Sequence, residues 1–190
     1  PLLIRGPMGA IKSAGPHHSG SYYPMWSHCP GLSVVVPSNA ADAKGLFTAS
    51  LRTGDPVIML VPKILLGSEC AVPVGEWLLP FGQANIVREG NDLTIVTCGA
   101  LVHRCTAAGK KLEARGIGCE VIDLRTIVPI DVETVINSLA KTNHLLVVDE
   151  AFSMCGLGAE IAATLSEDAF EYLDAPIYRL ASLDIPTPFS

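Results

Sequence analysis

Two adjacent histidines, in a segment bounded by glycine and proline, are the residues of this sequence best suited to chemistry. The segment is Gly15-Pro16-His17-His18-Ser19-Gly20. Imidazole exchanges protons near neutral pH, because its unperturbed pKa is about 6.5. Glycine and proline favour a shaped loop over a helix or strand here. Two interpretations stay open: the histidines transfer protons, or they are ordinary loop side chains, one in solvent and one hydrogen-bonded to backbone.

A second group of charged residues lies in the stretch from Asp123 to Asp131, which reads DLRTIVPID. It is predicted to contain a loop at the carboxyl end of a strand, where open parallel sheets bind their ligands. The simpler interpretation is favoured. In it, Asp131 caps the next helix and Arg125 pairs with a carboxylate across an interface, since a buried arginine usually needs such a partner.

Two further motifs are weak. Gly156-Leu157-Gly158 follows a predicted strand, but the third glycine of a dinucleotide fingerprint is missing, so close packing of a helix start is favoured. His103 and Cys105 are two residues apart on a predicted helix and face different directions, which argues against a metal site.

Composition excludes several classes of function. Thirteen basic and nineteen acidic residues give a net charge of −6 without any basic cluster, which argues against nucleic-acid and anionic-membrane partners. The longest apolar runs are far shorter than the roughly 18 residues of a membrane span. Six cysteines without a Cys-x-x-Cys pair are predicted to be reduced and buried in an intracellular protein. The start on Pro1, without methionine, predicts a fragment or a processed product.

The scaffold is predicted to alternate strands and helices. An opening strand at 2–5 is followed by a strand at 32–36, a helix at 39–52 capped by Ser38, and a strand at 57–61. Proline and glycine then interrupt the pattern, which indicates a linker and a domain division near residue 82. The second half predicts a mostly parallel three-layer α/β domain. Its strands are expected at 83–88, 93–98, 119–122, 145–148 and 177–180, and its helices begin near 101, 131 and 157; the inward face of the first helix is Leu101, Cys105, Ala108 and Leu112.

The order of short motifs along the whole chain resembles the beta subunit of thiamine diphosphate-dependent 2-oxo acid dehydrogenases, in the transketolase-like superfamily. This is the first component of the pyruvate, branched-chain 2-oxo acid and acetoin complexes. The motifs are LIRGP from Leu3, HS at His18, WSHCPGL from Trp26, VPS from Val36, DAKGL from Asp42, DPV from Asp55, REGNDLT from Arg88, EVIDLRTIVPID from Glu120, EA at Glu150, GAEI from Gly158 and YLDAPIYR from Tyr172.

The resemblance implies an α/β fold with two parts. Residues 1–66 would be the C-terminal part of a pyrimidine-binding domain, 67–82 a linker, and 83–190 a transketolase C-terminal-like domain. The first half of the pyrimidine-binding domain, with the glutamate that acts on the cofactor's aminopyrimidine, is expected upstream of Pro1. The chain by itself is therefore expected to bind thiamine diphosphate poorly and to be inactive.

The resemblance also implies the activity and the partners. The expected reaction is oxidative decarboxylation of a 2-oxo acid with acyl transfer to a lipoyl group, in an alpha2-beta2 tetramer that docks on a lipoylated acyltransferase core. The alpha subunit would hold the diphosphate and its magnesium, in bacterial cytoplasm or in the mitochondrial matrix. The alternatives are half of a transketolase-like carboligase and a catalytically silent scaffold subunit.

Site residues carry over by position. His18 matches the family's active-site histidine, whereas the family usually has glutamine at the position of Gly20 and lacks His17. A structural potassium ion, bound through backbone carbonyls, would lie where the helix before Pro56 ends. The matching positions are Leu2, Ser50, Leu51, Thr53 and Asp55; an ordinary capped helix end filled by water is the alternative.

Overall fold

Two β-sheets form the framework of the protein. The computed structural model describes residues 2–11 and 13–188, so predictions about Pro1 fall outside it. The strands are β1 (Leu2–Met8), β2 (Ser33–Val35), β3 (Pro56–Pro62), β4 (Asn85–Arg88), β5 (Leu93–Thr97), β6 (Cys119–Asp123), β7 (Thr126–Val128), β8 (Leu145–Phe152) and β9 (Tyr178–Ser182). The helices are α1 (Pro16–Ser19), α2 (Tyr23–Ser27), α3 (Ala40–Arg52), α4 (Leu101–Glu113), α5 (Val132–Thr142) and α6 (Leu157–Asp168).

The first sheet has the strand order β1-β3-β2-β7. Strands β1, β3 and β2 are parallel, as the continuous apolar runs of β2 and β3 predict, and α3 covers one face. Strand β7 runs antiparallel to β2 and corrects the prediction of a loop between Asp123 and Pro129. The physical reason is the free edge of β2, whose backbone groups need partners; Val36 N–H also donates to the Arg125 carbonyl at 2.8 Å.

The second sheet has the order β4-β6-β5-β8-β9 and is parallel except for β4, which is antiparallel to β6. Consecutive side chains on β5 point to opposite faces. Ile95 packs in the cluster that includes Cys105 of α4, and Val96 packs in the cluster that includes Leu139 of α5 and Ile161 of α6. These contacts confirm the three-layer, mostly parallel α/β architecture.

One continuous core joins the two sheets. Val34 and Ile58 of the first sheet belong to the same buried cluster as Ile122 and Val147 of the second. Tyr23 of α2 is also fully buried in this cluster. The histidine segment, which lies between β1 and β2, is therefore attached to a surface that both halves of the chain build.

The stretch from Leu66 to Ala84 has no helix or strand and packs along α3. Leu79 is buried, and its N–H donates to the Gly45 carbonyl at 3.3 Å. A Cβ on Gly45 would lie 2.8 Å from atoms of Trp77, so this glycine permits the close approach. The ammonium of Lys44 donates to the Pro73 carbonyl at 2.6 Å. The linker is thus held on the first half; the domain limits at residues 66 and 82 remain predictions.

The caps and buried faces of the helices agree only in part with those predicted from the sequence. Asp131 caps α5 as predicted, accepting from Thr134 N–H at 3.1 Å. The prediction of Ser38 as the cap of α3 is wrong, because Asn39 accepts from Asp42 N–H at 2.9 Å and leaves the Ser38 hydroxyl for another partner. On α4, Cys105 faces inward but Ala108 is exposed; Val102 and Gly109 complete the buried face.

All six cysteines are free, and only half are buried. Cys98, Cys105 and Cys119 lie in the core, whereas Cys29, Cys70 and Cys155 lie on loops and are exposed. The prediction of six buried cysteines is therefore wrong for the three that lie outside strands and helices. In the described part of the chain, no helix has the length and apolar character that a membrane span requires.

Candidate active site

His18 lies on a single helical turn, α1, and not on the predicted irregular loop. Proline fits the first turn of a helix, because the N–H that it lacks would have no partner there. Gly15, with φ 86°, precedes the turn in a conformation that glycine adopts readily, and its carbonyl accepts from His18 N–H at 3.2 Å. The glycine-proline pair thus starts a turn that sequence reasoning expected it to prevent.

Both imidazoles are exposed. The ring centroids of His17 and His18 are 4.1 Å apart with the rings inclined at 45°. Among the described residues, no group hydrogen-bonds to either ring, so no backbone group of the described part binds one of them. The described contacts therefore leave both ring nitrogens of His18 open to a ligand.

A backbone hydrogen bond closes the stretch from Gly9 to Gly20, which contains both histidines. Gly9 N–H donates to the Gly20 carbonyl at 3.1 Å, and Ala10 N–H donates to the Glu150 carboxylate at 3.3 Å. Gly9 has φ 83°, and a Cβ there would lie 2.7 Å from Glu150 Oε1, so only glycine fits. Burial raises the pKa of Glu150. A carboxylate from the second half of the chain therefore supports the base of the segment.

The residues after His18 continue this support. Ser19 is buried, and its hydroxyl donates to the Gly15 carbonyl at 2.7 Å. A Cβ on Gly20 would lie 2.2 Å from the ring of Tyr22. The ring of Tyr22 therefore covers the backbone at the position where the resemblance places glutamine.

A buried tyrosine and a buried aspartate lie directly below this segment. The Tyr23 hydroxyl donates to Asp149 Oδ1, which also accepts from Ala151 N–H at 2.8 Å. Burial is the main cause that raises the pKa of Tyr23 and of Asp149, and burial with the Asp149 charge raises that of Cys98. Asp149 Oδ2 is buried and has no partner among the described residues.

Sequence reasoning missed this pair. The available signal was the Asp149-Glu150 pair at the end of an apolar strand, where parallel sheets place functional carboxylates. Nothing in the sequence indicated that Tyr23, more than 120 residues away, would reach Asp149.

A largely apolar cavity of about 880 Å³ opens beside Tyr23. It lies between α2, the residues around Pro129 and the start of α6, and its lining includes Tyr22, Met25, Phe152 and Leu157. His18 is not part of its lining. The histidine turn and this cavity are therefore neighbours along the chain but separate surfaces.

The charged residues of the DLRTIVPID stretch join the two halves. Arg125 Nη2 lies 3.1 Å from Asp42 Oδ1, and Arg125 N–H donates to Asp123 Oδ1 at 3.0 Å. The Ser38 hydroxyl donates to Asp123 Oδ2 at 2.5 Å. Burial raises the pKa of Asp123 to about 7. The favoured interpretation, an arginine paired with a carboxylate across an interface, is confirmed.

The glycine motif follows its simpler interpretation. A Cβ on Gly156 would lie 2.3 Å from the Phe152 carbonyl oxygen, so this glycine allows the start of α6 to pack closely. Gly158 makes only ordinary contacts. The described residues contain no group of three or more histidine, cysteine or acidic side chains arranged to hold a metal.

The five potassium positions lie at one end of the first sheet. Leu2 pairs with Pro56 at the start of the β1–β3 ladder, directly after Asp55. Helix α3 ends at Arg52, and Thr53 N–H donates to the Ala49 carbonyl at 3.1 Å. Within the described residues, no donor reaches the carbonyls of Ser50 and Leu51. Free carbonyls at a helix end suit a hard cation, so Ser50 and Leu51 fit the ion.

Two family models match the chain. The transketolase pyrimidine-binding domain matches residues 1–69, and the transketolase C-terminal domain matches residues 82–190. This chain belongs to the transketolase family. The family predicted from the motifs is confirmed.

Similar transketolase-family proteins narrow the class. The chain is 45% identical over its full length to the pyruvate dehydrogenase E1 component subunit beta of Rickettsia felis, and 44% identical to the acetoin:2,6-dichlorophenolindophenol oxidoreductase subunit beta of Cupriavidus necator. It is 46% identical over 98% of its length to the mitochondrial 2-oxoisovalerate dehydrogenase subunit beta of Dictyostelium discoideum. These alignments cover 58%, 56% and 51% of the relatives, so the chain spans just over half their length.

A solved structure supports the transketolase fold. The chain superimposes on a split-gene transketolase, described as an inactive beta4 tetramer, with a TM-score of 0.80 at 23% identity. The alignment covers 98% of this chain and 59% of the other. At this identity the likeness establishes the fold alone.

Proposed function

We propose that this chain is part of the beta subunit of a 2-oxo acid dehydrogenase and that His18 is its proton-transfer residue. The observation that carries the proposal is the exposed His18 imidazole on a turn that both halves of the chain support. Identity of 44–46% to beta subunits acting in three related enzymes supports the class. The proposed domains are residues 1–66, 67–82 and 83–190.

The chain's own contribution is a proton-transfer group held in place. His18 takes up or releases a proton at a ring nitrogen that no other described residue occupies. General acid-base catalysis of this kind typically contributes about 10² to 10⁴ in rate. Glu150 and the Tyr23–Asp149 pair keep the segment that carries it against the second sheet, so the imidazole has a defined place in the assembly.

The proposed cofactor is thiamine diphosphate with magnesium. The free ring nitrogens of His18 fit a place beside such a group, whereas the described residues offer no basic cluster for its diphosphate. When bound, the cofactor supplies the carbanion chemistry of decarboxylation. We therefore assign the diphosphate and magnesium to an alpha subunit in an alpha2-beta2 tetramer, and acceptance of the acyl group to a lipoylated acyltransferase. We expect the assembled enzyme to be located in bacterial cytoplasm or in the mitochondrial matrix.

Potassium at the end of α3 would be structural. Its proposed ligands are the backbone carbonyls of Leu2, Ser50, Leu51, Thr53 and Asp55. Potassium chloride should raise the melting temperature above that in choline chloride at equal ionic strength, because a ligand that binds only the folded state stabilises it. Equal melting temperatures in the two salts would count against the site.

The experiment that tests the function is reconstitution. The polypeptide that contains this chain is expressed with an alpha subunit, and reduction of lipoamide is followed with pyruvate, a branched-chain 2-oxo acid or acetoin. We expect substrate-dependent lipoamide reduction that requires thiamine diphosphate and both subunits. Transfer to an aldehyde acceptor instead would favour a carboligase. If neither reaction occurs, a silent scaffold subunit would be favoured.

A further inference from the structure

The helical turn that carries His18 is too short to be stable alone. Helix α1 has four residues, whereas an isolated helix needs a dozen or more to persist in water. The last carbonyls of any helix also lack donors within the helix. The conformation of this turn must therefore be fixed by contacts from elsewhere in the fold.

Lys63 supplies one such contact. Its ammonium donates a hydrogen bond to the His18 carbonyl, 45 residues away in the chain. A hydrogen bond with a charged donor is stronger than one between neutral groups, and a cation is favourable at a helix C-terminus. This contact acts on the residue that carries the proposed proton-transfer side chain.

The backbone of Lys63 belongs to a hydrogen-bonded turn at the end of a sheet strand. Lys63 begins a 3-10 turn directly after β3, which lies between β1 and β2 in the first sheet. Its carbonyl accepts from Leu66 N–H at 3.1 Å. Lys141, by contrast, pairs with the carboxylates of Glu89 and Glu120. Lys63 has no carboxylate partner within salt-bridge distance among the described residues, so its charge is available to the His18 carbonyl.

We infer that Lys63 is a positioning residue for His18: its ammonium fixes the carbonyl of His18 and thereby the direction of the imidazole. This inference rests on the proposed catalytic role of His18. A misplacement of about 1 Å at a reacting group can cost about 10²-fold in rate. Removing one of several contacts that hold the turn should therefore lower kcat roughly tenfold and leave the substrate's KM unchanged.

The test uses Lys63→Met, Lys63→Arg and a control in the complex reconstituted with the alpha subunit. Methionine keeps the length of the side chain without its charge, and arginine keeps a donor cation. The control is Lys111→Met, because Lys111 is exposed on α4 and no carboxylate of the described residues lies within ion-pair distance of it. We expect kcat to fall about tenfold in Lys63→Met with KM within twofold, to recover largely in Lys63→Arg, and to stay unchanged in the control.

Hydrogen exchange gives a readout that does not depend on activity. The amides of residues 17–20 should exchange faster in Lys63→Met than in the wild-type complex, and at the wild-type rate in Lys63→Arg and Lys111→Met. Wild-type kcat in Lys63→Met, or unchanged exchange in this turn, would overturn the inference. If the wild-type complex reduces no lipoamide, the proposed function fails, and the exchange measurement still decides whether Lys63 holds the turn.

Discussion

The Tyr23 hydroxyl donates a hydrogen bond to the Asp149 carboxylate, and this contact joins the segment that follows the histidines to the carboxyl end of β8. Both residues are buried, with exposed fractions of 0% and 5%. A buried polar group that loses its partner keeps the full cost of its desolvation. The bond is therefore expected to stabilise the fold as well as to place the histidine turn.

Removing the Tyr23 hydroxyl should destabilise the protein. Tyr23→Phe leaves a buried carboxylate oxygen with one donor fewer, which should lower the free energy of unfolding by about 1–3 kcal/mol in chemical denaturation. Tyr22→Phe is the matched control, because Tyr22 is 45% exposed and no described residue hydrogen-bonds to its hydroxyl. A Tyr23→Phe protein as stable as the control would contradict this account of the pair.

Stability should depend on pH through Asp123. An aspartate titrates near pH 4 when unfolded, and burial raises the pKa of Asp123 to about 7 in the folded protein. The folded state therefore binds the proton more tightly, so this stabilisation is complete below about pH 4 and is lost as the pH rises through 7.

The measurement is the free energy of unfolding between pH 4 and pH 8. Asp123→Asn cannot ionise, so its stability relative to wild type should rise as the pH increases from 4 to 7. Asp168→Asn, an exposed change at the end of α6, should keep the wild-type dependence. Parallel curves for Asp123→Asn and wild type would show that Asp123 does not titrate in this range.

A substitution at Gly20 should act through packing against Tyr22 and not through backbone conformation. Its φ of −76° is open to any residue, but a Cβ would lie 2.2 Å from the Tyr22 ring. Because this ring is the far end of a side chain that is 45% exposed and can turn aside, Gly20→Ala should lower the free energy of unfolding by only about 1 kcal/mol, and Tyr22→Ala in the same protein should recover part of the loss. Gly54→Ala, where a Cβ meets nothing within 4 Å, is the control. If the double variant is as unstable as Gly20→Ala, the Tyr22 ring is not the cause of the destabilisation.

The sequence predicted the regular elements of the fold well, because their signals are local. Apolar runs marked β3 and β8, and Asp131 capped α5 as its position before an apolar periodic segment suggested. Strand β7 was not predicted from the sequence, since a three-residue strand is determined by the free edge of β2 and not by its own residues. The helical turn at His18 was not predicted for a similar reason: its conformation depends on Lys63, which is distant in sequence.

The sequence named candidate site residues only where a residue type or a family motif pointed to them. The histidine pair stood out because imidazole suits proton transfer, and the family resemblance then selected His18. Arg125 stood out because a buried guanidinium needs a carboxylate. The residues that support the site, Glu150, Tyr23 and Asp149, act through contacts between the two halves of the chain. Such contacts leave no periodic or spacing signal in a single sequence.

The central claim is that His18 transfers a proton in the reaction of the assembled enzyme. The direct measurement is kcat for 2-oxo acid-dependent lipoamide reduction by the reconstituted complex carrying His18→Ala, with His17→Ala as the neighbouring control. The account predicts a fall of about 10² to 10⁴ in kcat for His18→Ala and a much smaller change for His17→Ala. Activity of His18→Ala within a few-fold of wild type would contradict it.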